Sequence, residues 1–135
     1  MVIDTMIFAY ALLGVPEFRD EAARVLAEVT KIHVPDSFRA ELTNVVWQWV
    51  IHRGVHLETG IEILRDAEAL CDHVHRSDGL TERALELAVQ AKHPAYDAIF
   101  VALAERQELK VITFDRKLLI AFPELSITPA AYLSG

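Results

Sequence analysis

The sequence predicts an α/β fold in which parallel strands form a sheet covered by helices. Short apolar segments with strand-like composition alternate with longer segments whose apolar residues recur at helical spacing. Such alternation is typical of parallel strands joined by crossover helices, and hence of an α/β sandwich. The 135 residues suit one domain of ordinary size, and no repeat, linker or low-complexity tract divides them. We therefore expect a single domain over residues 1–135.

Five segments are predicted to be strands, because each is short, apolar in its centre and bounded by polar or turn-forming residues. They are MVID at residues 1–4, KIHVP at 31–35, DHVHR at 72–76, KVITF at 110–114 and LSIT at 125–128. In such sheets, ligands bind beyond the carboxyl ends of the parallel strands. Asp4 and Asp115 each follow an apolar strand core, so both are expected at that edge.

Five longer segments have the apolar spacing of helices. They are residues 16–29, 38–53, 57–71, 80–91 and 94–107. Asp36 or Ser37 can cap the second of these helices, and Gly54 follows its last residue. Pro94 stands in the first turn of the fifth, where proline is tolerated. The segment LLGVP before the first helix is typical of a turn, and a last turn is expected at Pro129.

The composition narrows the class of protein. The longest apolar stretch, residues 6–15, is too short to span a membrane and has no basic leader, so no membrane segment or signal peptide is expected. Cys71 is the single cysteine, which excludes an internal disulfide and favours a reducing cytoplasm. The net charge of −7 argues against nucleic-acid binding through a broad basic surface, but it allows a local basic rim around an acidic centre.

Two further acids lie near the starts of predicted helices, beside residues that face the core. Glu41 borders the apolar stripe that contains Leu42, and Asp97 stands on the same side of its helix as Phe100. A carboxylate in such a position is costly unless its charge is compensated. The helix dipole favours a negative charge at Asp97 by about 0.3–1 kcal/mol, the value for exposed sites. A bound cation would provide much stronger compensation.

Four carboxylates in one cleft repel one another, so they must share protons or bind a hard cation. Asp4, Glu41, Asp97 and Asp115 offer only oxygen ligands, and such sets favour Mg²⁺ or Mn²⁺ over zinc. One ion, or two about 4 Å apart, would activate water for attack on a phosphodiester and stabilise the leaving oxygen. Taken alone, each acid has a simpler interpretation as a strand end, a helix cap, a turn residue or a solvated position. The hypothesis depends on all four meeting.

Four stretches of the chain resemble the PIN-domain family and, within it, the VapC-type toxins of bacterial and archaeal toxin–antitoxin pairs. They are VIDTMIFAYALLG, SFRAELTNV, AYDAIFVALAER and VITFDRKLL, and the ending ITPAAYL is similar to the family's usual ending. In order and spacing these stretches cover nearly the whole chain. The most specific feature is the Asp-Ala pair of the third stretch, followed about eighteen residues later by T-x-D-R.

The resemblance implies a three-layer α/β/α sandwich with a mostly parallel sheet, and a metal-dependent endoribonuclease that uses Mg²⁺ or Mn²⁺. It matches the family's catalytic, metal-binding acids to Asp4, Glu41, Asp97 and Asp115. It also matches the family's hydroxyl residue to Thr113, for which we expect a role behind the metal ligands or in positioning water. The implied partners are an RNA substrate, a second copy of the chain in a homodimer, and a cognate antitoxin that inserts a segment near the active site.

The sequence departs from the family pattern after the last acid. Some relatives carry a further acid shortly after that position, but here Arg116 and Lys117 follow Asp115. The occupancy of a second metal position is therefore left open by the sequence. The two cations are instead candidates for contact with RNA phosphate, which would offset the acidic net charge locally.

Histidines and one tryptophan have competing interpretations. Cys71, His73 and His75 would share one side of a strand, but no fourth ligand is evident, so packed or solvated side chains are favoured over a zinc site. Trp47 points away from the main apolar stripe of its helix. Either another helix covers this residue, or it belongs to an oligomer or antitoxin interface.

Other functions fit the sequence less well. A haloacid-dehalogenase-like phosphatase needs a second acid two residues after its nucleophile, and Met6 stands there. A phosphoryl-receiver domain needs an acidic pair, a central acceptor aspartate and a late lysine, of which only Asp4 fits well. The main alternative is a PIN-like module that binds RNA or protein without catalysis. Four intact acids at the matched positions count against it.

Overall fold

The computed structural model describes residues 1–135, with five strands and eight α-helices that alternate along most of the chain. The strands are β1 (Val2–Ile3), β2 (His33–Pro35), β3 (His73–His75), β4 (Val111–Ile112) and β5 (Ser126–Ile127). The helices are α1 (Thr5–Leu13), α2 (Arg19–Glu28), α3 (Ser37–Arg53), α4 (Leu57–Leu70), α5 (Thr81–Ala91), α6 (Ala95–Gln107), α7 (Arg116–Ala121) and α8 (Pro129–Ser134). A short 3-10 helix, Ser77–Gly79, precedes α5.

The five strands form one sheet in the order β3-β2-β1-β4-β5, and every pairing is parallel. The predicted α/β class with a parallel sheet is therefore confirmed. In the centre, Val2 is paired with His33 on one side and Val111 on the other. Since all strands run the same way, their carboxyl ends share one edge, and the residues that follow β1 and β4 emerge there side by side.

Both faces of the sheet are covered, because the central strand residues Val2, Ile3, Val111 and Ile112 are completely buried although successive side chains point to opposite faces. Helix α1 packs against α2, α3 and α4, whereas α6 packs against α5 and contacts β1, β2 and β4. This is the three-layer α/β/α sandwich that the resemblance implied. None of the helices combines the length and apolar character needed to cross a membrane.

Three helices were not predicted from the sequence. Helix α1 occupies part of the apolar stretch 6–15, and it lacks a clear periodicity because buried residues lie on several of its sides. It ends at Gly14, whose φ of 72° is in the left-handed region that glycine tolerates. The turn predicted at Pro129 is wrong, because Pro129 begins α8, which is capped by the Thr128 hydroxyl. Helix α7 begins directly after Asp115.

Candidate active site

A cleft of about 520 Å³ opens at the carboxyl edge of the sheet, and all four predicted acids line it. Its lining combines these carboxylates with aromatic, apolar and cationic side chains. The lining residues are Asp4, Thr5, Met6, Tyr10, Phe18, Glu41, Val45, Asp97, Phe114, Asp115 and Arg116. Segments that are far apart in the sequence therefore contribute carboxylates to one cleft.

Asp4 and Asp115 are linked through a single buried hydroxyl. Thr113, which is completely buried, donates from Oγ1 to Oδ2 of Asp4 at 2.6 Å. The same Oγ1 accepts a hydrogen bond from the backbone N–H of Asp115 at 3.0 Å. The backbone N–H of Asp4 in turn donates to the carbonyl of Ile112 at 3.1 Å. The ends of β1 and β4 are thus held in a fixed relation at the floor of the cleft.

Asp115 is oriented by the helix that it caps. One of its carboxylate oxygens, Oδ1, accepts from the backbone N–H groups of Lys117 at 2.9 Å and Leu118 at 3.3 Å. These bonds satisfy free N–H groups in the first turn of α7. Oδ2 of Asp115 takes no part in the cap, which leaves that oxygen available to the cleft.

Glu41 enters the cleft from α3 and is held by the first residue of α1. The hydroxyl of Thr5 donates to Oε2 of Glu41 at 2.9 Å. Because Thr5 directly follows Asp4, the bond ties Glu41 to the β1 side of the cluster. The packing of α1 against α3 makes this contact possible.

Burial and mutual repulsion destabilise the charged forms of two of the acids. The pKa of Asp4 is raised to about 6, mainly by burial and less by the charges of Asp97 and Asp115, against the opposing hydrogen bond from Thr113. The pKa of Glu41 is likewise raised to about 7, mainly by burial and less by repulsion from Asp4 and Asp97, against the hydrogen bond from Thr5. Without a cation, the cluster therefore holds protons at pH values where exposed carboxylic acids are fully ionised.

Asp97 lies in the first turn of α6 and is paired with a residue that the sequence analysis did not select. The Nε2 atom of His93 is 2.9 Å from Oδ2 of Asp97, and the His93 side chain is only 6% exposed. One ligand atom from each of His93, Asp97 and Asp115 lies within 4.8 Å of the other two. The spacing H-x-x-x-D could have indicated this contact, because residues four apart are neighbours on a helix. It was overlooked because Pro94 marks the start of α6, which leaves His93 outside the helix.

The two cations after Asp115 are placed differently. Arg116 lines the cleft with the acids, whereas Lys117 lines a neighbouring hollow that also contains Lys92 and His93. Both Arg116 and Lys117 are exposed. Of the two predicted phosphate contacts, only Arg116 therefore borders the acid cluster directly.

Three aromatic rings form one wall of the cleft, and the sequence did not predict this wall. Tyr10 is stacked on Phe18 with ring centroids 4.4 Å apart, and Phe114 lies against both at 5.6 and 5.0 Å. The pKa of Tyr10 is raised, mainly by burial and further by the charges of Asp4 and Asp115. These rings give one side of the cleft a largely apolar lining.

Three of the other histidines, His33, His73 and His75, form a stacked group on β2 and β3. His33 lies 4.6 Å from His73 and 5.2 Å from His75 between ring centroids, and its Nδ1 is 2.9 Å from Nε2 of His75. Cys71 is not part of this group, because its thiol donates to the carbonyl of Ala67. The three histidine rings pack against one another on the sheet. Among the acids of the cleft, Asp97 and Asp115 form with His93 a group of three whose donor atoms are close enough to hold one ion.

Trp47 is 53% exposed on α3, so the interpretation that another helix covers it is wrong. Ile51, one turn further along, is 58% exposed. On the adjacent α4, Leu57 and Ile61 are also exposed. These four residues give α3 and α4 an exposed apolar surface, here called the α3–α4 surface.

Comparison with known proteins identifies the family. The family model of the PIN domain matches residues 1–123. Ribonuclease VapC3 of Pyrobaculum aerophilum is 34% identical over 135 residues, which cover 96% of this chain and 98% of that protein. The crystal structure of PAE2754 from Pyrobaculum aerophilum superposes with a TM-score of 0.76 at 19% identity, over 98% of this chain and 85% of the other.

Two further solved structures are also similar in fold. A toxin–antitoxin complex from Klebsiella pneumoniae gives a TM-score of 0.67 at 21% identity, over 95% of this chain and 96% of the other. FitAcB from Neisseria gonorrhoeae gives 0.67 at 15% identity, over 96% and 97%. The match of the family model to most of the chain and the near full-length relative together show that this chain belongs to the PIN-domain family.

Proposed function

We propose that this protein is a metal-dependent endoribonuclease, acting in the cytoplasm as the toxin of a toxin–antitoxin pair. The observation that carries the proposal is the convergence of Asp4, Glu41, Asp97 and Asp115 on one cleft. The relative at 34% identity is itself named a ribonuclease, which supports RNA as the substrate. Catalysis would hydrolyse the phosphodiester bonds of RNA.

The donor set fits a hard divalent cation, Mg²⁺ or Mn²⁺. Four carboxylates share the cleft, and two of them have raised pKa values because burial, together with the neighbouring negative charges, disfavours their ionised forms without compensation. A cation would supply that compensation and would favour the ionised, ligand-competent forms. When bound, it supplies Lewis-acid chemistry that stabilises negative charge on the phosphodiester and makes a water molecule more acidic.

Within this proposal, Asp4, Asp97 and Asp115 hold the metal at the carboxyl edge of the sheet. Glu41 contributes the oxygen that Thr5 does not engage, either to the metal or to the attacking water. Thr113 positions Asp4 and Asp115 through its two hydrogen bonds and touches neither substrate nor metal in this scheme. Arg116 contacts RNA phosphate at the cleft and Lys117 does so beside it.

The test is cleavage of single-stranded and structured RNA by the full chain with Mg²⁺ or Mn²⁺. Activity should be abolished by chelation and reduced by orders of magnitude in Asp4→Asn and Asp97→Asn. Asp66→Asn is the matched control, because Asp66 is exposed on α4 and does not line the cleft. Equal cleavage by the parent and both site variants would reject the assignment of the acids.

An antitoxin partner and a homodimer belong to the same proposal. The fold is shared with a toxin–antitoxin complex from Klebsiella pneumoniae and with VapBC2 from Rickettsia felis bound to a DNA fragment from their promoter. The α3–α4 surface is the candidate contact, since an exposed tryptophan with apolar neighbours is typical of interfaces. Co-expression with the product of a small adjacent reading frame, followed by co-purification, would test the antitoxin.

A further inference from the structure

His93 is fixed against the acid cluster from two sides. Its backbone N–H donates to the carbonyl of Ala88 at 3.0 Å, which anchors the residue to the end of α5. Its ring meets the ring of Phe122 edge-on, with centroids 5.7 Å apart and an interplanar angle of 80°. The side chain is 6% exposed. The imidazole therefore does not sample solvent freely, and its Nε2 atom faces Asp97.

The spacing of the neighbouring donor atoms matches ligands on a single ion. Nε2 of His93 lies 2.9 Å from Oδ2 of Asp97. One donor atom from each of His93, Asp97 and Asp115 lies within 4.8 Å of the other two. Donors about 2.1 Å from one ion are about 3 Å apart when adjacent and about 4.2 Å apart when opposite. Small side-chain movements would therefore bring all three atoms onto one cation.

We infer that His93, Asp97 and Asp115 form a metal position with mixed nitrogen and oxygen donors, which favours a divalent transition ion such as Mn²⁺ over Mg²⁺. The inference rests on the proposed function in that it concerns the same acid cluster. His93 would add a ligand beside Asp97 and Asp115. The residues that follow Asp115 cannot supply one, because Arg116 and Lys117 are cationic and carry no carboxylate.

Nitrogen donation changes the selectivity of the position. Mg²⁺ prefers oxygen ligands and retains its waters, whereas imidazole nitrogen is a favourable ligand for first-row transition ions. A cluster of carboxylates alone would discriminate little between Mg²⁺ and Mn²⁺ by ligand type. With His93 as a ligand, the bond from the imidazole nitrogen strengthens the binding of Mn²⁺ more than the binding of Mg²⁺.

A different role for His93 is also compatible with the 2.9 Å contact. The ring could donate to Asp97 and only orient it, as residues behind a metal ligand often do. Removal of such a positioning residue weakens every metal that Asp97 binds. Removal of a nitrogen ligand weakens Mn²⁺ more than Mg²⁺. The two roles are therefore separable by measurements on two ions.

The experiment uses pulsed electron paramagnetic resonance and calorimetric titration on the full chain with Mn²⁺ or Mg²⁺ alone. The parent protein should give nitrogen modulation on bound Mn²⁺, and His93→Gln should abolish it. The ratio of Mn²⁺ to Mg²⁺ affinity should fall by about tenfold or more in His93→Gln. His56→Gln is the control, because His56 is exposed between α3 and α4, and it should match the parent.

The parent spectrum alone decides the inference even if His93→Gln folds poorly. Absence of nitrogen modulation in the parent with Mn²⁺ bound, or equal losses of Mn²⁺ and Mg²⁺ affinity in His93→Gln, would overturn it. If the protein cleaves RNA but shows no nitrogen modulation, the proposed nuclease function is retained and only the assignment of His93 as a ligand is wrong. If it shows nitrogen modulation but does not cleave RNA, the ligand assignment is retained and the nuclease function is wrong.

Discussion

The hydroxyl of Thr113 lies 2.6 Å from the Oδ2 atom of Asp4, although the two residues are 109 positions apart in the sequence. This bond crosses from the end of β4 to the end of β1, and the same oxygen accepts from the N–H of Asp115. Asp4 and Asp115 are therefore anchored at the ends of adjacent parallel strands, and their relative position depends on a residue that carries no charge.

Replacing Thr113 with valine should damage both stability and catalysis. The substitution preserves volume but leaves Asp4 without its hydroxyl donor, so we expect a loss of about 1–3 kcal/mol in the free energy of unfolding, measured in urea. RNA cleavage should fall as well, because Asp4 and Asp115 lose their common anchor. Thr113→Ser, which keeps the hydroxyl, should retain most of both properties, and Thr59→Val on exposed α4 is the control. A fully active Thr113→Val variant would contradict the positioning role.

The metal-free protein should lose stability as the pH rises from about 4 to about 7. The pKa values of Asp4 and Glu41 are raised to about 6 and about 7. The folded state therefore binds more protons than the unfolded state in that range, and its advantage disappears once both groups ionise. For the buried Asp4 the expected effect is about 3 kcal/mol, and the partly exposed Glu41 adds a smaller amount because solvent screens its charge. Urea unfolding with a chelator should show it, and Asp4→Asn combined with Glu41→Gln should flatten the profile.

The addition of Mn²⁺ should reverse this trend, because protons compete with the metal for the same oxygens. Stabilisation by the ion should therefore be larger near neutral pH than in mild acid. If the stability of the metal-free protein instead rises from pH 4 to pH 7, the folded state already compensates the charges of Asp4 and Glu41, and the prediction is wrong.

Arg116 should contribute more to RNA binding than Lys117, because only Arg116 lines the acid cleft. In an inactive Asp97→Asn background, Arg116→Gln should weaken binding of a short RNA and reduce the slope of log affinity against log salt concentration by about one. Lys117→Gln should have a smaller effect at the same salt concentrations. Fluorescence anisotropy measures both quantities. Equal affinities for the parent background and Arg116→Gln would exclude a phosphate contact at that residue.

Trp47→Glu should weaken association and leave the monomer folded, because 53% of Trp47 is already exposed. Light scattering would report self-association, and co-purification would report antitoxin binding. Leu85→Glu is the matched comparison, since Leu85 is 60% exposed on α5 and lies outside the α3–α4 surface. If Leu85→Glu disrupts association and Trp47→Glu does not, the interface lies on α5 instead. A collapsed Trp47→Glu monomer would contradict the surface assignment altogether.

Much of this architecture follows from local patterns. The positions of Asp4 and Asp115 could be anticipated because parallel strands deliver the residues after them to a common edge. Glu41 and Asp97 could be selected because each borders a buried helix stripe. Helix α1 could not be recognised, since a helix buried on several sides loses its periodicity. The short helices α7 and α8 depend on caps at Asp115 and Thr128.

The aromatic wall could not be predicted from the sequence, because Tyr10, Phe18 and Phe114 meet only after α1, α2 and β4 are assembled. The contact of His93 with Asp97 was missed because His93 precedes Pro94, the N-cap of α6, and so lies outside the helical pattern. Tertiary packing decides such contacts. Whether Trp47 is exposed or covered likewise depends on how the neighbouring helices pack, which the sequence alone does not determine.

The most direct test of a shared cation is calorimetric titration of Mn²⁺ into four single variants of the cluster. Asp4→Asn, Glu41→Gln, Asp97→Asn and Asp115→Asn should each bind Mn²⁺ more weakly than the parent, while Asp66→Asn should bind it equally well. If the four variants retain the parent affinity, or the parent binds no Mn²⁺ at neutral pH, these carboxylates do not form a metal centre.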